Sequence, residues 1–379
     1  MSITLSIDFT ATHDTTVNQT IADTLCNIQQ DIRQLTNSED FTVYMGGGYG
    51  RGEGGVLITE DNRHLPYNDI DFFVFTHLNS RRKRQAFDDG LRQIGRKYSR
   101  RLGIAFDFAP AKALDKFRRE QHTLMYQELL YRHVLVYGTD LLAGMECSPA
   151  HELPVQEGLK LLVNRGMGLL LAIHQLAEHP ESEETLDFVA RNLHKTAQGA
   201  GDALLMAQRR YDYDFQRRRM LILYEAKTNP AFKELAPLYK AAIDFKVLPS
   251  VADLASPAES CARYAHLWFE AARHFVAFTT DRTPSILQTP AQLSDCIYRQ
   301  TDFRGRGPFI NALRWIAKTK TVSPLRLLPR NPTARIFSLL CLELFDICEK
   351  SANLKDMLDS CAHENNKYDF LVCLWRIFN

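Results

Sequence analysis

The chain has 379 residues, 45% of them hydrophobic and 24% charged, with a net charge of +1. That is the balance of a folded globular protein long enough for two domains, and it excludes a disordered or fibrous chain. No uninterrupted apolar stretch reaches the ~18 residues of a membrane helix and no signal peptide follows Met1, so a cytoplasmic protein without a membrane segment is expected.

Residues Thr15 to Leu35 repeat apolar side chains at spacings of three and four (Val17, Ile21, Leu25, Ile28, Ile32), which predicts an amphipathic helix. Phe41 to Met45 is β-branched and aromatic and predicts a strand. It runs into the glycine-dense turn Gly46-Gly47-Gly48-Tyr49-Gly50-Arg51-Gly52-Glu53. Glycine lets a backbone approach a phosphate closely, and successive N–H groups in such a turn form a concave anion site. Val56 to Tyr67 reads as a hairpin.

The next strand is Asn68 to Phe75. Side chains alternate along a strand, so Asp69 and Asp71 project together while Ile70 and Phe72 point inward. Two carboxylates on one face repel unless a cation lies between them, and an oxygen-only ligand set suits Mg²⁺.

Ser80 to Leu102 predicts a helix with Phe87, Leu91, Ile94 and Tyr98 on one face. Its basic run, Arg81 to Arg101, belongs to the opposite face and is expected to point away from the sheet. Gly103 ends that helix, and Ile104 to Ala109 predicts a strand stopped by Pro110. Asp107 is then an acid in the middle of an apolar strand, where a carboxylate buried without a partner is rare.

A helix over Asp115 to Tyr131 and a strand from His133 to Tyr137 follow. The boundary between domains is placed after residue 145, in a stretch holding Gly144, Pro149 and Pro154. Beyond it the periodicity is helical throughout. Helices are predicted over Gln156–Ala177, Glu183–Gln208, Asp214–Lys227, Phe232–Phe245, Ala258–Phe278, Phe309–Ala317, Thr333–Lys350 and Tyr368–Phe378, with a proline-rich link over Pro324–Pro332.

The fold class is therefore α+β, an N-terminal mixed sheet with flanking helices (1–145) followed by an all-helical domain (146–379). The eight cysteines include no Cys-x-x-Cys pair, which argues against zinc. The basic runs Arg81–Arg101 and Arg314–Arg335, and Arg217-Arg218-Arg219 beside Tyr211 and Tyr213, read first as solvated surface and second as nucleic-acid contacts.

The motif Gly47-Gly48-Tyr49-Gly50-Arg51-Gly52-Glu53 with Asn68-Asp69-Ile70-Asp71 resembles the DNA polymerase β-like nucleotidyltransferase superfamily, whose pattern is Gly-Ser-x-x-Arg-Gly-Glu followed by Ser-Asp-Ile-Asp. The segment between the two halves is longer here, and Gly48 stands where the family often has a phosphate-binding Ser. Tyr137-Gly138-Thr139-Asp140 resembles the end of the catalytic domain in small members of the superfamily.

The resemblance implies that Asp69, Asp71 and Asp107 bind two Mg²⁺ ions, with Asp107 serving the acceptor. It implies that Gly47 and Gly48 hold the β- and γ-phosphates, and that Lys195 of the helical domain, with Arg191, reaches the triphosphate. Arg51 is assigned either to the triphosphate or to Glu53. The expected activity is transfer of a nucleoside monophosphate, most often AMP from ATP, to a hydroxyl of a small molecule or protein. Alternatives are a cyclic-oligonucleotide synthase of the bacterial immune type, a tRNA-modifying transferase, and a non-catalytic nucleotide-binding regulator.

Overall fold

The computed structural model describes residues 8–36, 40–78, 80–250, 254, 256–300, 308–319, 331–362 and 366–378. The fold is α+β, and the chain divides into two compact units. Unit 1 runs to Pro149 and also takes in Asp244–Ser250; unit 2 holds Ala150–Ile243 and the described residues after Ser250.

In unit 1 the elements are α1 (Thr15–Leu35), β1 (Phe41–Met45), α2 (Gly47–Gly50), β2 (Val56–Ile58), β3 (His64–Pro66), β4 (Asp69–Thr76), α3 (Arg81–Leu102), β5 (Ala105–Phe108), β6 (Lys112–Ala113), α4 (Leu114–Phe117), α5 (Leu124–Tyr131) and β7 (Val134–Tyr137). The main sheet has the order β5-β4-β1-β7, and β6 pairs with the far end of β4. β1 is antiparallel to β4 and β7, whereas β5 and β6 run parallel to β4. The parallel pair is connected through α3, the crossover that parallel strands require. β2 and β3 form a separate antiparallel hairpin, with His64 Nδ1 2.5 Å from Asp14 Oδ2 at the start of α1.

Strand alternation gives the sheet two different faces. Val43, Met45, Ile70, Phe72 and Val74 join one core with the apolar stripes of α1 and α3, including all nine side chains that helical spacing assigned to them. Asp14 and Ser80 cap these helices, and Gly103 closes α3 with a left-handed turn at φ 73°. The basic residues of α3 stay on the solvent side. Tyr44, Phe73 and Phe75 face the other way, into a smaller core made with Leu114, Phe117, Leu129, Leu130 and Leu142.

The single helix expected over Asp115–Tyr131 is instead α4 and α5, broken by turns at Arg119 and Glu120. The break lets Phe117 and Leu129 both enter the smaller core, with the His122 ring stacked on Phe117 at 4.1 Å.

Unit 2 contains α6 (Val155–Glu178), α7 (Glu183–Ala207), α8 (Phe215–Glu225), α9 (Pro230–Lys233), α10 (Leu235–Val247, its last turn grouped with unit 1), α11 (Pro257–Thr280), α12 (Pro290–Arg299), α13 (Pro308–Thr319), α14 (Pro332–Lys350), α15 (Leu354–Ala362) and α16 (Asn366–Phe378). The helix expected over Phe232–Phe245 divides because Pro237 clashes with a continuous turn before it and fits only within the first turn of a new helix. α12 and α15 add to the predicted set. The proline-rich link expected over Pro324–Pro332 lies outside the described residues as far as 330.

The arginine triplet is not one surface feature. Arg217 is exposed, but the Arg218 side chain is 2% exposed and lies 2.9 Å from Asp202. Its guanidinium also donates to Tyr211 Oη and to the carbonyls of Asp212 and Tyr213. No described helix is long and apolar enough to cross a membrane.

Candidate active site

The site forms at the N-terminal half of β4 because the smaller core stops short of it. Phe73 and Phe75 are buried on that face, while Asp69 and Asp71 on the same side remain partly open. Behind them Ile70 and Phe72 are each 1% exposed, which fixes the register and keeps both carboxylates turned outward. β5 lies parallel with Asp107 as the register partner of Asp71. Neighbouring register partners share a face, so the strand pairing itself brings the third carboxylate to the first two. Each of Asp69, Asp71 and Asp107 offers an oxygen, and these oxygens lie within 4.8 Å of one another.

Asp107 differs from its expected setting. β5 is an edge strand on which Phe106 is buried but Ala105 and Asp107 are exposed. Even so, partial desolvation of the carboxyl, and after it the charge of Asp69, holds Asp107 above the usual carboxylate range. Asp69 has a supporting neighbour in Asn68, whose amide donates to Oδ1 at 2.5 Å. Asn68 adopts a left-handed backbone at φ 76°, a conformation asparagine tolerates better than most residues.

The glycine segment folds as the short helical turn α2. Gly46 N–H donates to the Asp71 carbonyl at 2.9 Å, tying the turn to the aspartate strand. Gly47 follows at φ 59°, and a Cβ there would fall within 3.0 Å of the Asp71 carboxylate. A Cβ on Gly48 would meet nothing nearer than the Glu53 carbonyl at 3.7 Å, so that position has room for a side chain. The amides of Gly47 and Gly48 occupy the first turn of α2, where a helix supplies no acceptor of its own. Tyr49 anchors the turn from below. Its hydroxyl donates to the Gly55 carbonyl at 2.6 Å and accepts from Tyr67 N–H at 2.7 Å, and burial pushes its pKa up.

Of the two roles open to Arg51, the ion pair with Glu53 is present in the structure. The guanidinium lies 3.2 Å from Glu53 and 3.2 Å from Glu128, with the side chain 10% exposed. Glu53 also receives Lys246, whose Nζ is 2.6 Å from Oε2. Lys195 lies on α7 in unit 2, half-buried, with Arg191 paired to Asp187 one turn away.

Sequence reasoning therefore named the three aspartates and both glycines but not Asn68 or Lys246 in supporting roles. Asn68 carries a usable signal, being an asparagine directly before the Asp-x-Asp motif. Lys246 carries none, since it is 193 positions from its partner. Among the described residues, Asp69, Asp71 and Asp107 form a group whose donor set suits a hard cation: three carboxylates, no sulfur and no imidazole. No family model, no curated protein and no solved structure matches the chain.

Proposed function

We propose that unit 1 is a Mg²⁺-dependent nucleotidyltransferase that moves a nucleoside monophosphate, AMP from ATP as the leading case, to a hydroxyl acceptor and releases pyrophosphate. One observation carries the reading: three carboxylates from two paired strands converge within 4.8 Å beside a glycine turn bonded to the same strand. Crowded carboxylates without a counter-charge are unfavourable; desolvation first and the Asp69 charge second raise the Asp107 pKa, and a divalent cation would offset both.

Asp69, Asp71 and Asp107 would hold the metal, which when bound neutralises phosphoryl oxygens and acidifies the acceptor hydroxyl. The remaining work belongs to the chain. The amides of Gly47 and Gly48 are assigned to the β- and γ-phosphates, and Asn68 keeps the Asp69 carboxylate turned to the site. Asp107 stands on the exposed edge strand, open to an incoming acceptor, and a carboxylate with raised basicity suits a group that accepts the acceptor's proton. The acceptor oxygen then bonds to the α-phosphorus as the bond to pyrophosphate breaks.

Arg51 is engaged by two carboxylates, so its part is assigned to holding the turn rather than to the triphosphate. Lys195, on the resemblance, is assigned to the triphosphate; unchanged apparent nucleotide affinity in Lys195→Ala would remove it from that role.

The test is incubation of the full chain with Mg²⁺ and each α-labelled nucleoside triphosphate, first without acceptor and then with total cell extract. Label passing to a small molecule or protein is expected. Label in cyclic or linear oligonucleotides without acceptor would replace the reading with an oligonucleotide synthase, and label on tRNA would replace it with tRNA modification. Transfer that persists in Asp69→Ala would sink the metal assignment.

A further inference from the structure

The segment Asp244–Ser250 comes from the end of α10 and beyond, yet it belongs to unit 1. Three of its contacts fall on the glycine turn and the approach to the aspartate strand. Lys246 Nζ lies 2.6 Å from Glu53 Oε2, and both side chains are largely buried, at 20% and 7% exposed. The Lys246 carbonyl packs so closely on Gly55 that a Cβ there would fall within 3.0 Å of it. The Phe245 ring meets the Tyr67 ring edge-on at 6.0 Å.

Glu53, Gly55 and Tyr67 are the places where the glycine turn leaves α2 and where the chain returns to the aspartate strand. Tyr67 donates to the Tyr49 hydroxyl within the turn, and Asn68, next in sequence, orients Asp69. Glycine-rich backbone has more conformational freedom to lose than any other. Amides aimed at a phosphate therefore need restraint from outside the turn, and small displacements of aligned groups are costly in binding and rate.

We infer that Asp244–Ser250 is a strap that fixes the glycine turn against the aspartate strand, with Lys246 as the positioning residue. This rests on the functional reading above and extends it to a residue nearly two hundred positions away. Lys246 acts through Glu53, which also holds Arg51, which in turn holds Glu128 on α5. These four groups set two cations against two carboxylates. Loss of Lys246 removes a cation held 2.6 Å from Glu53, which loosens the anchor of the backbone that runs from Arg51 to Glu53 directly after α2. The metal carboxylates keep their own supports in the β4–β5 pairing and Asn68. The strap thus governs the phosphate side of the site and not the metal side.

The experiment compares the full chain with Lys246→Met, Lys246→Arg and the charge-balanced Lys246→Met/Glu53→Gln. Mn²⁺ binding is followed by electron paramagnetic resonance, Mg²⁺-dependent binding of ATP, CTP, GTP and UTP by calorimetry, and folding by thermal melts. The expected result is that Lys246→Met binds Mn²⁺ as wild type does but the preferred nucleotide about tenfold or more weakly. Lys246→Arg should stay close to wild type. If Lys246→Met melts early, the double variant, which leaves no unbalanced charge, carries the test: it should recover stability and still bind nucleotide weakly. A folded single or double variant with wild-type nucleotide affinity would overturn the strap while leaving the functional reading intact. Wild-type protein that binds neither Mn²⁺ nor any nucleotide would overturn both.

Discussion

The backbone of Gly47 lies directly against the carboxylate of Asp71, closer than any side chain would permit. The N–H of the preceding residue, Gly46, donates to the Asp71 carbonyl, so turn and strand touch through both main chain and side chain. Proximity and the positive φ of Gly47 are two separate reasons for glycine at this position, and Gly48 has neither.

Gly47→Ala should therefore displace Asp71 and strain the backbone by about 1–2 kcal/mol. The expected outcome is a lower melting temperature together with at least about tenfold weaker Mn²⁺ binding, equivalent to ~1.4 kcal/mol. Gly48→Ser has room for its side chain and should fold normally. On the proposed reading it should bind nucleotide no more weakly than wild type, because the hydroxyl would add a phosphate contact. Calorimetric titration of both variants checks the contrast.

Asp107 stands apart from Asp69 and Asp71 in exposure, and its loss should stand apart in kinetics. On the proposed reading, Asp107→Asn lowers the rate of nucleotidyl transfer by about 100-fold or more while nucleotide affinity changes little. Asp71→Asn should reduce both. Single-turnover transfer beside equilibrium nucleotide binding separates the two patterns. A fall in affinity equal to the fall in rate for Asp107→Asn would reassign it to ground-state binding.

The parts of this site that were legible in the sequence are those in which local pattern and tertiary role coincide. Asp69 and Asp71 alternate with Ile70 and Phe72, and that alternation states which side of β4 is buried. Asp107 could be placed on a strand, but not on an edge: edge position depends on which strands pair, and no residue of Ile104–Ala109 encodes that β5, among the described residues, has a neighbour on one side only. The additional helix α12 is marked by Thr289-Pro290-Ala291-Gln292, which forms a capping box with proline in the first turn. The division of Asp115–Tyr131 had no such marker, because it arises from Phe117 and Leu129 reaching the same core. Lys246 was beyond reach for the same reason, its role being defined by Glu53.

The raised pKa of Asp107 links metal, pH and stability. Its ordinary value is 3.8, and the folded value lies above it, chiefly through desolvation and then through the Asp69 charge. The folded state therefore favours the protonated acid. That contribution is fully present below pH 3.8 and is lost as pH rises through the raised folded value. Because Asp107 is exposed, the effect is below ~1 kcal/mol. Metal-free Asp107→Asn should accordingly melt at or slightly above the wild-type temperature near neutral pH. Mg²⁺ should raise the melting temperature of wild type more at pH 7 than at pH 4, since a cation binds the deprotonated carboxylates, and that increment should shrink in Asp107→Asn. Thermal melts at the two pH values, with and without Mg²⁺, give all four comparisons.

Arg217 and Arg218 are adjacent in sequence and opposite in expected consequence. The Arg218 guanidinium is enclosed by Asp202, Tyr211 and the carbonyls of Asp212 and Tyr213, while Tyr239 donates to the same Asp202 oxygen, Oδ1, at 2.6 Å. Burial raises the Tyr239 pKa well above its ordinary value, so its hydroxyl stays a donor and cannot replace the lost cation. Arg218→Met leaves Asp202, 6% exposed, without the guanidinium that balances it, and should cost about 3–5 kcal/mol. Arg217 is 75% exposed and only 3.6 Å from Asp212 at its nearest, so Arg217→Ala should change stability by less than ~0.5 kcal/mol. Denaturant unfolding of the two variants decides the matter: equal midpoints would mean that the Arg218 network contributes nothing beyond the packing around it.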